Sequence, residues 1–294
     1  MKIAAAAYNM DFLASWDAYV AKISDWVAEA AGNGADLMIF PEYGAMELAT
    51  LAGPEAAMDL EASLHAVASR IPEVDALHAD LARKHGAHIL AASAPVFDPE
   101  IGERPVNRAR LFAPSGAMGH QDKQIMTRFE REDWGVVGGG PLTLFDTSLG
   151  KIGILICYDS EYPLLARALM DADLLLVPSC TEAAHGYNRV RIGAMARALE
   201  QQCVTVMSST VGDCDWSYSV ETNRGVGGIF GPPDTGFPAD GVLAQGVMDK
   251  PGWTYATLDL DAVARVRKDG VVLNRSHWDE QAGRDGPAEL RDLS

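Results

Sequence analysis

Three residues that are far apart in a chain of 294 each sit where a strand-like run gives way to a loop: Glu42, Lys123 and Cys157. Proteins that alternate strands and helices place their reactive groups at such points. Cys157 ends the apolar run Lys151-Ile-Gly-Ile-Leu-Ile, and a helical stretch begins a few residues later. A strand–nucleophile–helix turn exposes the side chain and aims free backbone N–H groups at an incoming carbonyl oxygen. A thiol, with a pKa near ~8.5, needs a base or a positive neighbour to become a competent nucleophile. Glu42 closes Leu37-Met-Ile-Phe-Pro41-Glu42, a carboxylate stiffened by proline, and Lys123 follows His120-Gln-Asp. Each alone has a plainer reading: an inert buried cysteine, a solvated loop carboxylate, a solvated lysine.

The elements that would position them alternate along the whole chain. Lys2–Tyr8 reads as a first strand, too short and too soon broken to be a signal peptide. Trp16, Val20, Ile23, Val27 and Ala30 recur at helical spacing and predict a helix over 16–31. Strands are expected at 36–40 and 88–94, with a helix over 74–85 between them. The runs 106–113 and 116–121 flank Pro114-Ser115-Gly116 as a hairpin, and 142–145 with 151–156 form a second pair. Then follow a helix at 161–170, a strand at 174–177, a helix at 187–202 and a strand at 204–208. Strands at 226–230, 242–247 and 253–258 close the series, before a helix over 261–268 with Asp261 as its N-cap. Beyond Asn274 the composition turns polar, and an extended tail is expected from about residue 275. No linker or repeat divides the chain, which predicts one α/β domain over 1–294. Mixed short strands with hairpins favour two stacked sheets covered by helices over one doubly wound sheet.

Composition narrows the chemistry. The chain is 48% hydrophobic and 22% charged, an ordinary globular balance. A net charge of −17 excludes nucleic acid as a partner, because phosphate binding needs clustered Lys and Arg. No apolar run is long enough to span a membrane. The four cysteines, Cys157, Cys180, Cys203 and Cys214, lack C-x-x-C spacing, and none of the seven histidines is spaced for a metal. Neither a metal nor a cofactor is therefore expected, and free thiols point to a reducing cytoplasm.

Taken together, Phe40-Pro41-Glu42, Lys123 with Glu130, and Ile156-Cys157-Tyr158-Asp159 followed by Tyr162-Pro163 resemble the Glu–Lys–Cys signature of the nitrilase superfamily of carbon–nitrogen hydrolases. Ala172-Asp-Leu-Leu-Leu-Val-Pro178-Ser179 resembles that family's next strand, Arg197-Ala-Leu-Glu200 its following helix, and Gly231-Pro232 with Gly241-Val-Leu243 its late hairpin. The resemblance runs from Lys2 to about Trp278. It implies a four-layer α-β-β-α sandwich, often paired through a helical face, so a homodimer or higher homo-oligomer is expected. It also implies roles. Cys157 attacks a small linear amide, Glu42 serves as general base, and Lys123 with the Tyr158 N–H stabilises the oxyanion before water hydrolyses the thioester. A second glutamate orients substrate or lysine. Glu130 fits by its distance from Lys123 and Glu132 by its distance from Cys157; Glu130 is preferred.

Further residues are placed more coarsely. Ser179, Cys180 and Thr181 leave the next strand on the same side and are expected to line the pocket, as are Tyr43 and Trp134. Asp159 reads as an N-cap for the helix after Cys157, and Tyr187, Arg189 and Arg191 open a later helix, the arginines more in salt bridges than on substrate. On the same scaffold a nitrilase, an N-carbamoyl hydrolase or an acyl transferase would use the same three residues. A non-catalytic scaffold protein would show erosion of Glu, Lys or Cys, and a zinc amidohydrolase would need ligand clusters that are missing.

Overall fold

A computed structural model describes residues 1–284 and 286–294. In chain order its elements are β1 (Lys2–Asn9), α1 (Trp16–Gly32), β2 (Leu37–Ile39), a 3-10 turn (Gly44–Ala52), α2 (Pro54–Met58), α3 (Leu60–His85), β3 (His88–Val96), β4 (Val106–Phe112) and β5 (Met118–Asp122). A short π-turn (Glu130–Trp134), β6 (Leu144–Thr147), β7 (Gly150–Ile154), a 3-10 turn (Cys157–Glu161), α4 (Pro163–Ala168), β8 (Leu174–Ser179) and α5 (Ala184–Gln201) come next. The chain continues with β9 (Val204–Asp213), β10 (Thr222–Asn223), β11 (Gly228–Phe230), β12 (Val242–Gln245), β13 (Gly252–Thr257), α6 (Leu260–Asp269) and a last 3-10 turn (Trp278–Gln281) within the tail.

The strands run in the order β5-β4-β3-β2-β1-β9-β8-β7-β6. The middle of this order is parallel, with Ala5 beside Ile39 and Ser179 beside Ser209, while the hairpins β4–β5 and β6–β7 are antiparallel as expected. Side chains of a strand alternate between faces, and the alternation sorts the layers. Ala4, Ala6 and Tyr8 of β1 pack with Tyr19, Ile23 and Val27 of α1 and with Leu64 and Val67 of α3. Ile3 and Ala5 instead join Ile39 and Leu90 to Ile152, Ile154, Leu174 and Leu176 of the other half in one apolar interior. On the far side Leu169, just past α4, packs with Leu175, and the Thr205 hydroxyl donates to the Ala194 carbonyl of α5. The result is α-β-β-α layering in a sheet nearly closed into a barrel. The two end strands approach without pairing, and the Phe145 ring lies so near Gly119 that a Cβ there would stand 2.4 Å from it.

Several expected boundaries move. The helix expected at 74–85 starts at Leu60, because Pro72 lies inside it rather than stopping it. Its buried Leu64, Val67, Ile71, Val74, His78 and Leu81 show the periodicity continuing across the proline. The last helix is capped by Asp259, whose side chain accepts the Asp261 N–H, and not by Asp261. The stretch expected as a helix over 161–170 is a 3-10 turn followed by the short α4, and α5 begins three residues before Tyr187.

One buried ion pair fixes the segment that follows Glu42. Glu47, fully buried in the 3-10 turn, accepts from Lys22 Nζ at 2.7 Å, from the Tyr8 hydroxyl and from the Asp11 N–H at 3.1 Å. A charged carboxylate left without its cation in such a place is costly. Lys22→Met is expected to lower stability at neutral pH by about 3 kcal/mol. Urea unfolding checks this, and a change under ~0.5 kcal/mol would contradict it.

Candidate active site

Glu42 leaves the end of β2 through Pro41, and the next residue, Tyr43, turns the chain with φ 53°. That left-handed conformation is costly for a side chain with a Cβ. The Tyr43 N–H compensates by donating to Ser93 Oγ at 3.0 Å. Cys157 has φ 50°, so the cysteine itself sits on sharply turned backbone and Glu42 directly precedes such a turn. Lys123 follows β5. Its N–H donates to the Asn107 carbonyl at 2.9 Å, and its carbonyl accepts from Gly139 N–H at 3.0 Å.

These strand ends bring the three side chains together in the interior. Lys123 Nζ donates to Glu42 Oε1 at 2.8 Å and to Glu130 Oε2 at 2.6 Å. Glu42 and Lys123 are each 1% exposed. Both oxygens of Glu42 are engaged: Asn107 Nδ2 donates to Oε1 at 3.0 Å, and the Cys180 N–H donates to Oε2 at 2.9 Å. The Cys157 thiol lies near enough for the Glu42 charge to act on it, and it donates to the Cys180 carbonyl at 3.8 Å. Glu130 also accepts from the Tyr43 hydroxyl at 2.8 Å and from both the N–H and the hydroxyl of Thr127 at 2.8 Å.

Electrostatics assigns the protons. Burial pushes the Cys157 thiol well above its ordinary value, and the Glu42 charge adds to this more than Lys123 subtracts. Burial opposes the charge on Lys123, but the Glu130 and Glu42 carboxylates hold it firmly protonated. Burial raises Glu42 despite the lysine, whereas in Glu130 the lysine and the Thr127 hydrogen bonds overcome burial and hold it low. Burial thus favours the neutral thiol, the two carboxyl groups favour the ammonium, and a proton shared by the carboxyl pair settles on Glu42 rather than Glu130.

A cavity of about 700 Å³ opens onto this cluster, lined by Glu42, Tyr43, Lys123, Glu130, Trp134, Cys157, Tyr158, Cys180 and Thr181 among others. Every residue expected at the site lies there except Ser179, which is fully buried and donates to the Ser208 carbonyl at 2.9 Å, turned into β9 and away from the cavity. Trp134 packs against Tyr43 with ring centroids 4.7 Å apart. The choice between the two glutamates is resolved in space: Glu130 meets Lys123, while Glu132 is exposed on Arg128 at 2.7 Å. Arg189 lines the mouth 3.5 Å from Glu161, and Arg191 points to Gln245 outside it. Among the described residues the Tyr158 N–H, two atoms beyond the strained Cys157, has no acceptor within the protein. Asp159 is not a helix cap, since α4 starts after Tyr162. Sequence reasoning missed Asn107, although an amide within the otherwise apolar and basic strand Val106–Phe112 is a signal of a buried polar role.

The chain belongs to the carbon-nitrogen hydrolase family, whose sequence profile matches residues 2–268. It is 33% identical over 278 residues to a probable hydrolase, YhcX, of Bacillus subtilis (strain 168), covering 92% of this chain and 52% of that one. It is 32% identical over 162 residues to nitrilase 3 of Arabidopsis thaliana, covering 50% of this chain and 44% of that one. The chain thus spans about half the length of these curated relatives. In fold it resembles an amidase from Nesterenkonia sp. (TM-score 0.64, 23% identity, 90% of this chain and 92% of that one). It also resembles Nit3 of Saccharomyces cerevisiae, a member of the nitrilase superfamily (TM-score 0.70, 18% identity, 91% and 93%).

The neutral resting thiol has a direct readout. Modification of Cys157 by methyl methanethiolsulfonate, followed by peptide mass mapping, is expected to keep accelerating with pH past 9, the thiol's ordinary value. A rate that levels off below pH ~8 would contradict it.

Proposed function

We propose that this carbon-nitrogen hydrolase is an amidase that cleaves a small linear amide through a thioester on Cys157. The observation that carries the reading is the Lys123 ammonium shared between Glu42 and Glu130 beside a thiol at the floor of an open cavity. Because the thiol rests protonated, its proton leaves as it attacks, and Glu42 is the acceptor within reach. The carbonyl oxygen that becomes negative meets Lys123 and the unengaged Tyr158 N–H. Glu42, now carrying the proton, gives it to the departing amine. The C–N bond breaks, and the same carboxylate activates the water that hydrolyses the thioester. Glu130, saturated by Tyr43, Thr127 and Lys123, holds the ammonium in place rather than touching substrate.

The three residues build the covalent intermediate for an amide, a nitrile or a carbamoyl compound alike, and the cavity walls select among these. The amide reading agrees with the amidases among its structural neighbours. We also propose that the chain works as a homodimer or a higher homo-oligomer. The exposed Leu164 of α4, with Ile192 and Leu199 of α5, offers the apolar face for it.

A screen of small amides, ureido acids and nitriles for released ammonia tests the reading with Cys157→Ala as its control. The variant is expected to fold normally, since it removes one small atom, and to lose activity by about a thousandfold or more. Near-native turnover by folded Cys157→Ala would remove the cysteine mechanism.

A further inference from the structure

Lys123 and Cys157 depart from opposite ends of the sheet. Lys123 follows β5, the first strand of the order, and Cys157 follows β7, the last but one. Glu42 and Cys180, which leave β2 and β8, stand in the continuous middle of the sheet, where ladder hydrogen bonds fix their spacing. Among the described residues no strand pairing joins β5 to β6 or β7, so no ladder fixes the lysine against the nucleophile.

A single carboxylate spans this gap at the site. Asp159, two residues past Cys157, accepts at Oδ1 from the Ile125 N–H at 2.8 Å and the Gln124 N–H at 3.2 Å, and at Oδ2 from the Gln124 N–H at 3.1 Å. Gln124 and Ile125 directly follow Lys123. Asp159 is 1% exposed, and no cation pairs with it among the described residues. Burying an unpaired carboxylate is a poor way to gain stability. Burial pushes Asp159 up to about 7 even though both N–H groups pull it down. A carboxylate kept in such a place is better explained by the position it imposes than by the stability it adds.

We infer that Asp159 is a positioning residue that clasps the Lys123 loop to the Cys157 turn across the open seam of the sheet, holding the ammonium where the attacked oxygen becomes negative. The inference rests on the amidase reading above. Asp159 touches neither substrate nor the reacting atoms; it acts through the backbone of residues 124 and 125. Lys123 then keeps its two carboxylates on one side and the nucleophile's oxyanion pocket on the other. Besides the clasp, the loop is held by the Asn107 and Gly139 backbone bonds, by Gln124 Nε2 on the Gly140 carbonyl at 2.7 Å and by the Lys123 ammonium on its two carboxylates; among the described residues none of these bonds reaches the Cys157 turn.

Asp159→Ala and Asp159→Asn in the full chain, assayed with an amide that the wild type turns over, test the inference. Lys22→Met is the control for lost stability far from the seam. Asp159→Ala is expected to lower kcat by about a hundredfold, while KM stays within about threefold. Asp159→Asn is expected to recover most of that loss, because its Oδ1 still accepts both N–H groups. Lys22→Met, at least as destabilised in urea, is expected to keep kcat within about threefold below its unfolding transition. Should Asp159→Ala not fold, Asp159→Ser, whose hydroxyl is too short to reach both N–H groups, takes its place with the same expected loss. The inference is overturned if the folded Ala or Ser variant keeps kcat within about threefold, if Asp159→Asn does no better, or if activity merely tracks stability across all the variants. Turnover by Cys157→Ala would instead remove the amidase reading itself, so the two failures are distinguishable.

Discussion

The ammonium of Lys123, buried between two carboxylates, is the interaction on which the rest of the site depends. A lone charge buried to this degree is strongly disfavoured, and two carboxylates sharing the space would expel one another's charge. With the lysine between them each carboxylate meets the cation, and the two take two of its three N–H groups. The arrangement separates two otherwise similar acids. Glu130 accepts four hydrogen bonds and stays a fixed anion, while Glu42, raised by burial, is the one that can take a proton and return it. The thiol beside them is held toward its neutral form by burial and by the Glu42 charge.

The sheet makes this possible by ending several strands at one place. β2, β5, β7 and β8 deliver Glu42, Lys123, Cys157 and Cys180, and the sharp turns at Tyr43 and Cys157 aim the side chains into a common space. Asn107 serves twice: its carbonyl holds the Lys123 backbone and its side chain holds the Glu42 carboxylate. Its own amide oxygen accepts from Ser93 Oγ at 2.6 Å, and Ser93 in turn receives the Tyr43 N–H. Base and cation are therefore positioned by one continuous hydrogen-bonded network rather than by separate supports. On the β4–β5 side that network is complete; across the sheet's open seam the contacts are side chain to backbone, which makes the seam the place where geometry is easiest to lose.

Much of this was legible in the linear chain. Alternating strands and helices pointed to a layered α/β fold, because strand ends are readable from periodicity and turn residues, while the trio Glu42, Lys123 and Cys157 stood out through its resemblance to the Glu–Lys–Cys signature. What resisted reading depended on direction in space. Ser179 and Cys180 leave the same strand, but alternation turns the serine toward β9 and the next residue toward the cavity. Glu130 and Glu132 differ by two positions, and only the π-turn decides which one faces inward. Asp159 has a helix-capping residue type, yet its partners lie more than thirty positions earlier. The helix expected over 74–85 begins at Leu60 with Pro72 inside it, since packing of α3 on the sheet outweighs one lost hydrogen bond.

The most direct test of the central role given to Lys123 is steady-state kinetics of Lys123→Met on an accepted amide, with folding checked by circular dichroism. If the ammonium stabilises the charge that develops on the attacked carbonyl, kcat falls by about a hundredfold or more while the folded state is retained. A folded Lys123→Met enzyme with near-native kcat, or with its loss confined to KM, would contradict that role.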